Sequence, residues 1–326
     1  MRAAWLLATL LCAGAGLGCR GPNAPLPGVT LPGPEDPVAK AGPPRLVAEG
    51  FTYLEGPVWL PERQELWFVD PKLDKLFKVT PAGTSAVVRD PNGGASGLGR
   101  LPNGDVVLLE SAAHRLVRLP AGGAWTVFAH EAEGQPLDRP NDVTVRSDGM
   151  VYVTLPFVRQ VLRLSATGEA RRVWQGEEGT KPNGIGLSPD ERILYVTDTL
   201  ENLVRAFPVH PDGSLGAPTV FAAGLGLDRH STWVTDGMAV DRAGNVYVAS
   251  YARPASDSPG EIAVFRPNGA RWGRLLIPRG PSNVTFGGAD GKTLYVTAQG
   301  ALYALAMPIA GVGDFERPRA PQPAEE

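Results

Sequence analysis

The chain has 326 residues, 43% of them hydrophobic and 20% charged, an ordinary globular composition with room for one large domain or two smaller ones. Its 40 glycines and 32 prolines fall short of the ~25–30% share that signals disorder, and they point to a fold with many turns. The formal net charge of −3 gives no basic footprint and argues against a nucleic-acid partner.

Residues 1–19 read as an export signal. Arg2 supplies the positive start, and Ala3 to Leu17 is an apolar stretch shorter than the ~20 residues that span a bilayer. Gly16-Leu17-Gly18-Cys19 is similar to a bacterial lipoprotein cleavage site, with lipidation of Cys19 expected and simple cleavage as the alternative. Cys12 lies inside the signal, so the mature protein has no disulfide. Residues 20–44, rich in Pro, Gly and Ala, read as a flexible linker. The expected location is exported, periplasmic or anchored to the outer membrane, with membrane contact only through the N-terminal lipid.

Residues 45–308 carry a repeat. A small polar residue, a short apolar run, a turn and a β-prone strand recur six times, beginning at Glu55, Ser96, Asn141, Asn183, Asp236 and Ser282. The intervals of 41, 45, 42, 53 and 46 residues match the length of a four-stranded propeller blade. The turns are explicit at Asn103-Gly104, Asp148-Gly149, Gly244-Asn245 and Asp290-Gly291, where a tight hairpin needs positive φ. The following strands, such as Val151-Tyr152-Val153-Thr154 and Leu194-Tyr195-Val196-Thr197, suit a pleated buried surface. The sixth copy lacks a downstream outer strand, while Arg45 to Gly50 precedes the first copy without a partner. The expected fold is therefore all-β: a six-bladed β-propeller whose N-terminal strand closes the last blade, followed by a flexible tail over 309–326. Two sandwich domains are the alternative.

In such a ring the innermost strand of every blade faces the central channel. The repeated head position carries Glu55, Ser96, Asn141, Asn183, Asp236 and Ser282, all oxygen carriers. Two carboxylates (Glu55, Asp236) and two amides (Asn141, Asn183) make a hard-oxygen set for one divalent cation, calcium first, with Mg²⁺, Mn²⁺ or Zn²⁺ as alternatives. Turn formation by Asn and Asp is the competing explanation. It accounts poorly for Glu55, and an unpaired buried carboxylate is costly.

The stretches Glu55-Gly56-Pro57-Val58-Trp59, Arg139-Pro140-Asn141-Asp142-Val143, Pro182-Asn183-Gly184-Ile185, Thr235-Asp236-Gly237-Met238 and Pro281-Ser282-Asn283 resemble the senescence marker protein/gluconolactonase (regucalcin-like) family. The resemblance implies a six-bladed propeller and a divalent-metal-dependent hydrolase of sugar lactones. It implies Glu55, Asn141, Asn183 and Asp236 as metal ligands, Asp236 also as proton donor and acceptor, and Arg139 with Asn141 as substrate contacts. A salt bridge to Asp138 or Asp142 is the other role open to Arg139. The run Val153-Thr154-Leu155-Pro156-Phe157 departs from the family's Phe-Thr-Asp-Pro-Pro-Tyr, and Gly224 to Thr235 is a longer insertion that could act as a lid over the channel mouth.

The expected partner is a small-molecule lactone, and the expected state a monomer. Hydrolysis of a phosphotriester or other ester, or a non-catalytic calcium-stiffened binding propeller, are the alternatives. His230 is read as an exposed loop residue with a proton shuttle as its second reading, and His114, His130 and His210 as structural. Asp198 is a turn former or a support for the site. Trp59, Trp233 and Tyr251 line the mouth or pack between blades.

Overall fold

The computed structural model describes residues 36–80, 82–225, 233–252 and 258–313. The export signal and most of the linker lie outside the described residues, as do residues 226–232 with His230, and the chain from 314 onward. Among the described residues no helix is long and apolar enough to cross a membrane.

Six four-stranded antiparallel sheets are the blades. The first is Glu55–Leu60, Glu65–Asp70, Lys75–Val79 and Ser85–Arg89. The inner strands of blades two to six are Gly97–Arg100, Val143–Val145, Pro182–Leu187, Trp233–Val240 and Pro281–Gly287. Their second strands are Val106–Glu110, Val151–Leu155, Ile193–Asp198, Val246–Ala252 and Thr293–Ala298. The second strands are almost wholly buried because each is flanked by strands on both sides and by blades on both faces. The hairpin at Asp148-Gly149 forms as its sequence demands, Gly149 holding φ at 90°. A small extra hairpin, Glu131–Ala132 with Gln135–Pro136, is an addition the repeat did not announce.

Arg45–Glu49 pairs antiparallel with Ala301–Ala306 and completes blade six, as the missing outer strand required. One sheet thus joins both ends of the chain, and this closes the ring. The closing seam is packed by Trp59 of blade one on Tyr295 of blade six, rings 5.8 Å apart and 13° from parallel. Trp59 is therefore core, and does not line the mouth.

The core is a series of layers between blades. Val107 and Leu109 of blade two, for example, pack with Val143, Val145 and Val153 of blade three. Leu109 is fully buried, and a side chain of that size contributes about 1.5–3 kcal/mol by leaving water. The chain remains part of this core beyond residue 308. Gly311 bridges Asp241, and Val312 N donates to Val240 O at 3.1 Å, so the first residues of the expected tail are strapped across the inner strand of blade five. A run with little side-chain pattern can still be fixed through its main chain, which the sequence does not reveal.

Candidate functional site

The inner strands do not run as regular ladders at their heads. Register shifts fall between Glu55 and Val58, between Pro182 and Ile185, between Thr235 and Met238, and between Pro281 and Asn283. Such irregularities re-aim a side chain that a period-two strand would send into a blade seam. Gly56 shows the local requirement: its φ is 51°, and a Cβ there would meet Gly97 Cα at 2.5 Å. Glu55, Asn183 and Asp236 sit at three of these irregularities and Ser282 at the fourth, whereas Asn141 precedes a regularly paired strand.

One phenol joins the two carboxylates. Tyr53 Oη lies 2.8 Å from Glu55 Oε1 and 3.3 Å from Asp236 Oδ2. A phenol carries a single proton and cannot donate fully to both. Glu55 and Asp236 are 8% and 6% exposed, so water does little to compensate them. Burial first, and then the charge of Asp236, pushes the Glu55 carboxyl well above the usual carboxylate range. Burial and then Asp142 push Asp236 up to about 7, against hydrogen bonds from Tyr53, Tyr251 and Asn183. Burial followed by Glu55 and Asp236 raises the Tyr53 phenol as well.

Asn183 thus stands beside Asp236, and Asn141 is part-buried at the head of blade three. Asn141 N donates to Thr154 O at 2.9 Å, which fixes its main chain against the second strand of its own blade. Among the described residues no three His, Cys, Asp or Glu side chains are grouped to hold a metal ion. The set is two carboxylates and two amides. It nevertheless fits a hard divalent cation: each donor is an oxygen carrier, and two buried, mutually repelling carboxylates favour their charged form only beside a compensating positive charge.

Two of the six head positions, outside the expected ligand set, hold serines. Ser96 Oγ donates to Asn141 O at 2.8 Å and lies 2.9 Å from Pro140 O, while Ser282 Oγ donates to Leu54 O. Both serines turn into the seam with the neighbouring blade, because a short hydroxyl with a proton to give finds an acceptor there before it can reach the axis. They are seam donors; their oxygens are spent on the neighbouring main chain.

Tyr53 and Asp142 went unrecognised as site residues in the sequence. Asp142 is 7% exposed, its Oδ1 accepting Val143 N at 2.9 Å and its Oδ2 accepting Ile185 N of the next blade at 3.2 Å. A positional signal existed for Tyr53, since Tyr53, Arg139 and Lys181 each stand two residues before a head residue. Arg139 and Lys181 flank Phe157 at the rim, with Arg139 Cζ 4.2 Å and Lys181 Nζ 5.2 Å from the ring centre. Arg139 Nε also lies 3.6 Å from Asp138 Oδ1, and its φ of 46° is unusual for a residue with a long side chain.

The remaining candidates sort by contact. Asp198 Oδ1 accepts Lys181 N at 3.0 Å and Leu200 N at 3.1 Å, so it makes a turn and also holds the segment leading to Asn183. Tyr251 is buried beside Asp236, and Trp233 is buried at the start of its strand. That strand begins three residues before Asp236, so Trp233–Thr235 belong to blade five and not to an inserted lid. His114 is exposed, its Nδ1 3.0 Å from Leu137 O, and His130 and His210 are exposed.

Known proteins resemble this chain in sequence and fold. A gluconolactonase of Zymomonas mobilis subsp. mobilis (strain ATCC 31821 / ZM4 / CP4) is 28% identical over 297 residues, covering 78% of this chain and 79% of that protein. A solved gluconolactonase from Xanthomonas campestris superposes with a TM-score of 0.72 at 25% identity, covering 90% of this chain and 99% of the other. A calcium-binding protein, regucalcin, from Agrobacterium tumefaciens shares the fold with a TM-score of 0.70 at 19% identity, over 83% of this chain and 96% of the other. Residues 54–300 match the SMP-30/Gluconolactonase/LRE-like region, and the chain belongs to that family.

Proposed function

We propose that this chain is a lactonase that opens a sugar lactone by hydrolysis, with one divalent cation held by Glu55, Asn141, Asn183 and Asp236. The observation that carries the reading is the buried Glu55–Tyr53–Asp236 contact, two carboxylates brought from blades one and five to one phenol. Lactone chemistry is what the relatives named gluconolactonase have in common. The choice of calcium rests on the donor set, which has oxygens and no sulfur or imidazole.

Hydrolysis breaks the acyl C–O bond of the ring. The carbonyl carbon keeps the oxygen of water, and the ring oxygen leaves with a proton as a hydroxyl. A bound cation supplies Lewis acidity that draws charge from the lactone carbonyl. Asp236 takes the proton of the attacking water at a carboxylate oxygen and returns one to the leaving oxygen. Contact with a cation lowers its pKa from the raised value of the cation-free protein, so a base role gives an activity limb below about 7. Tyr53 Oη holds the carboxylates in place, and Arg139 at the rim orients substrate hydroxyls or a carboxylate. From the N-terminal sequence we also propose export and a lipid on Cys19, which the mass of the mature N-terminus checks.

The test is turnover of a panel of aldonolactones and one phosphotriester by the full chain, with calcium, with a chelator, and with Asp236→Asn. Chelator-sensitive lactone opening that the substitution abolishes supports the reading. Turnover of the phosphotriester alone, or calcium-dependent stabilisation without any turnover, overturns the lactonase assignment.

A further inference from the structure

The side chain of Asn183 is held by a relay whose direction is fixed. Thr235 Oγ1 donates to Asp198 O at 3.0 Å, and Thr199 Oγ1 donates to Thr235 O at 2.9 Å. A hydroxyl has one proton. With that proton committed to a carbonyl, Thr199 Oγ1 can offer Asn183 only an acceptor, and Asn183 Nδ2 lies 3.0 Å away. The second N–H of the same nitrogen serves Asp236, so with both protons committed the oxygen is the end left to a ligand. Thr199 therefore decides which end of the Asn183 carboxamide is available to a ligand.

The surroundings make this control firm. Thr199 and Asp198 are each 2% exposed and Thr235 is fully buried, so water does not compete for these bonds. The relay also crosses the seam between blades four and five. Thr197, two residues earlier than Thr199, donates to Asp236 O at 2.8 Å. Two threonines at one strand end thus hold the amide of Asn183 and the main chain of Asp236, residues from two different blades.

We propose that Thr199 is a positioning residue of the site: it orients the Asn183 carboxamide so that Oδ1 is presented to the cation, and Thr197 fixes the Asp236 main chain alongside. The inference rests on the cation reading above. It assigns a role to a residue that touches neither cation nor substrate, and it explains why a threonine is spent at a strand end where any turn residue would serve.

The test compares Thr199→Val, which keeps the shape and removes the hydroxyl, with Thr199→Ser, which keeps the hydroxyl. Calcium affinity of each full chain is read by calorimetry at 25 °C, and Tm is read in chelator. Loss of an outer-shell partner typically weakens metal binding 10–100-fold, and that is the expected rise in Kd for Thr199→Val, with Thr199→Ser within about threefold of wild type. In an Asn183→Ala background, Thr199→Val leaves Kd unchanged. A merely structural threonine moves the chelator Tm without moving Kd, and that result overturns the proposal. So does Thr199→Ser binding tenfold more weakly, an outcome readable even where Thr199→Val does not fold. Wild-type protein that binds no divalent cation overturns the cation reading and this inference together. Wild-type binding that Thr199→Val leaves intact overturns this inference alone.

Discussion

Blades two and six carry serine at the position where blades one, three, four and five carry Glu55, Asn141, Asn183 and Asp236, and the two kinds of head do opposite work. The serines give their protons outward to the next blade, Ser96 to Asn141 O and Ser282 to Leu54 O. Three of the other four heads receive hydroxyl bonds on their main chains: Asn141 from Ser96, Asn183 from Thr154 at 2.6 Å, and Asp236 from Thr197 at 2.8 Å. An ionised carboxylate has no proton to close a seam, and a longer arm can reach the axis. Polarity at a repeated position therefore does not fix where a head turns: the short serine hydroxyls close on neighbouring main chain, whereas the longer Glu55, Asn183 and Asp236 side chains meet other side chains.

The largest expected effect separates the two kinds of head directly. Asp236→Asn removes one of the two carboxylates of the proposed ligand set, and should lower calcium affinity by more than the 10–100-fold typical of an outer-shell change, with lactone turnover lost alongside. Calorimetry on the variant checks it; wild-type affinity would break the comparison at its centre.

The next effect is a pH dependence. The Asp236 pKa of about 7 in the folded, cation-free protein compares with about 3.9 for an unfolded Asp. The folded form then binds its proton more tightly than the unfolded form. The stability this confers is full below about pH 4 and is lost as pH rises through about 7. Glu55, raised for the same reason of burial, changes in the same direction. Calcium favours the charged forms and cancels the loss, so Tm in chelator should fall from pH 5 to pH 8 while Tm in saturating calcium does not. The gap between the two curves is the readout, and a gap independent of pH would remove burial of these carboxylates as the driving cause. One pKa unit corresponds to about 1.4 kcal/mol, so the effect should amount to a few kcal/mol.

These dependences also show how far the sequence could be read. Six copies with Gly-containing turns made the ring legible, and the unpartnered segment at Arg45 made its closure legible, because both follow from patterning along the chain. Glu55 and Asp236 were legible as well, since a carboxylate at the head of an apolar strand needs an explanation. Tyr53, Thr197 and Thr199 were not. Their roles depend on neighbours 183, 39 and 36 residues away in sequence, which only the closed ring brings into contact. The serines' seam bonds were not legible either, because a repeated position says where a residue starts, and the nearest acceptor decides where its side chain goes.

A smaller effect sharpens the contrast from the other side. Ser96→Ala and Ser282→Ala leave buried carbonyl oxygens without a donor, which typically costs about 1–3 kcal/mol each. Stability in chelator should fall by that amount while calcium Kd moves by less than about threefold, because neither serine touches a ligand side chain. A loss of affinity as large as that expected for Thr199→Val would show that main-chain anchoring alone sets the ligand geometry.

The smallest effect concerns the rim. Arg139 is half exposed, packed on Phe157 and 3.6 Å from Asp138, and it holds a φ of 46° that glycine adopts without cost. Arg139→Gly therefore separates the backbone from the guanidinium. Loss of an exposed cation–π contact costs about 0.5–1 kcal/mol, which release from the left-handed conformation should offset, so chelator Tm should stay within a few degrees. If the guanidinium orients substrate, KM should rise about three- to tenfold with calcium affinity intact, the signature of lost binding that acts equally on ground and transition states. An unchanged KM would assign Arg139 to the rim stack and its ion pair with Asp138. The substrate would then be recognised entirely from within the ring of heads, where Glu55, Asn183 and Asp236 meet other side chains while the serines close on main chain.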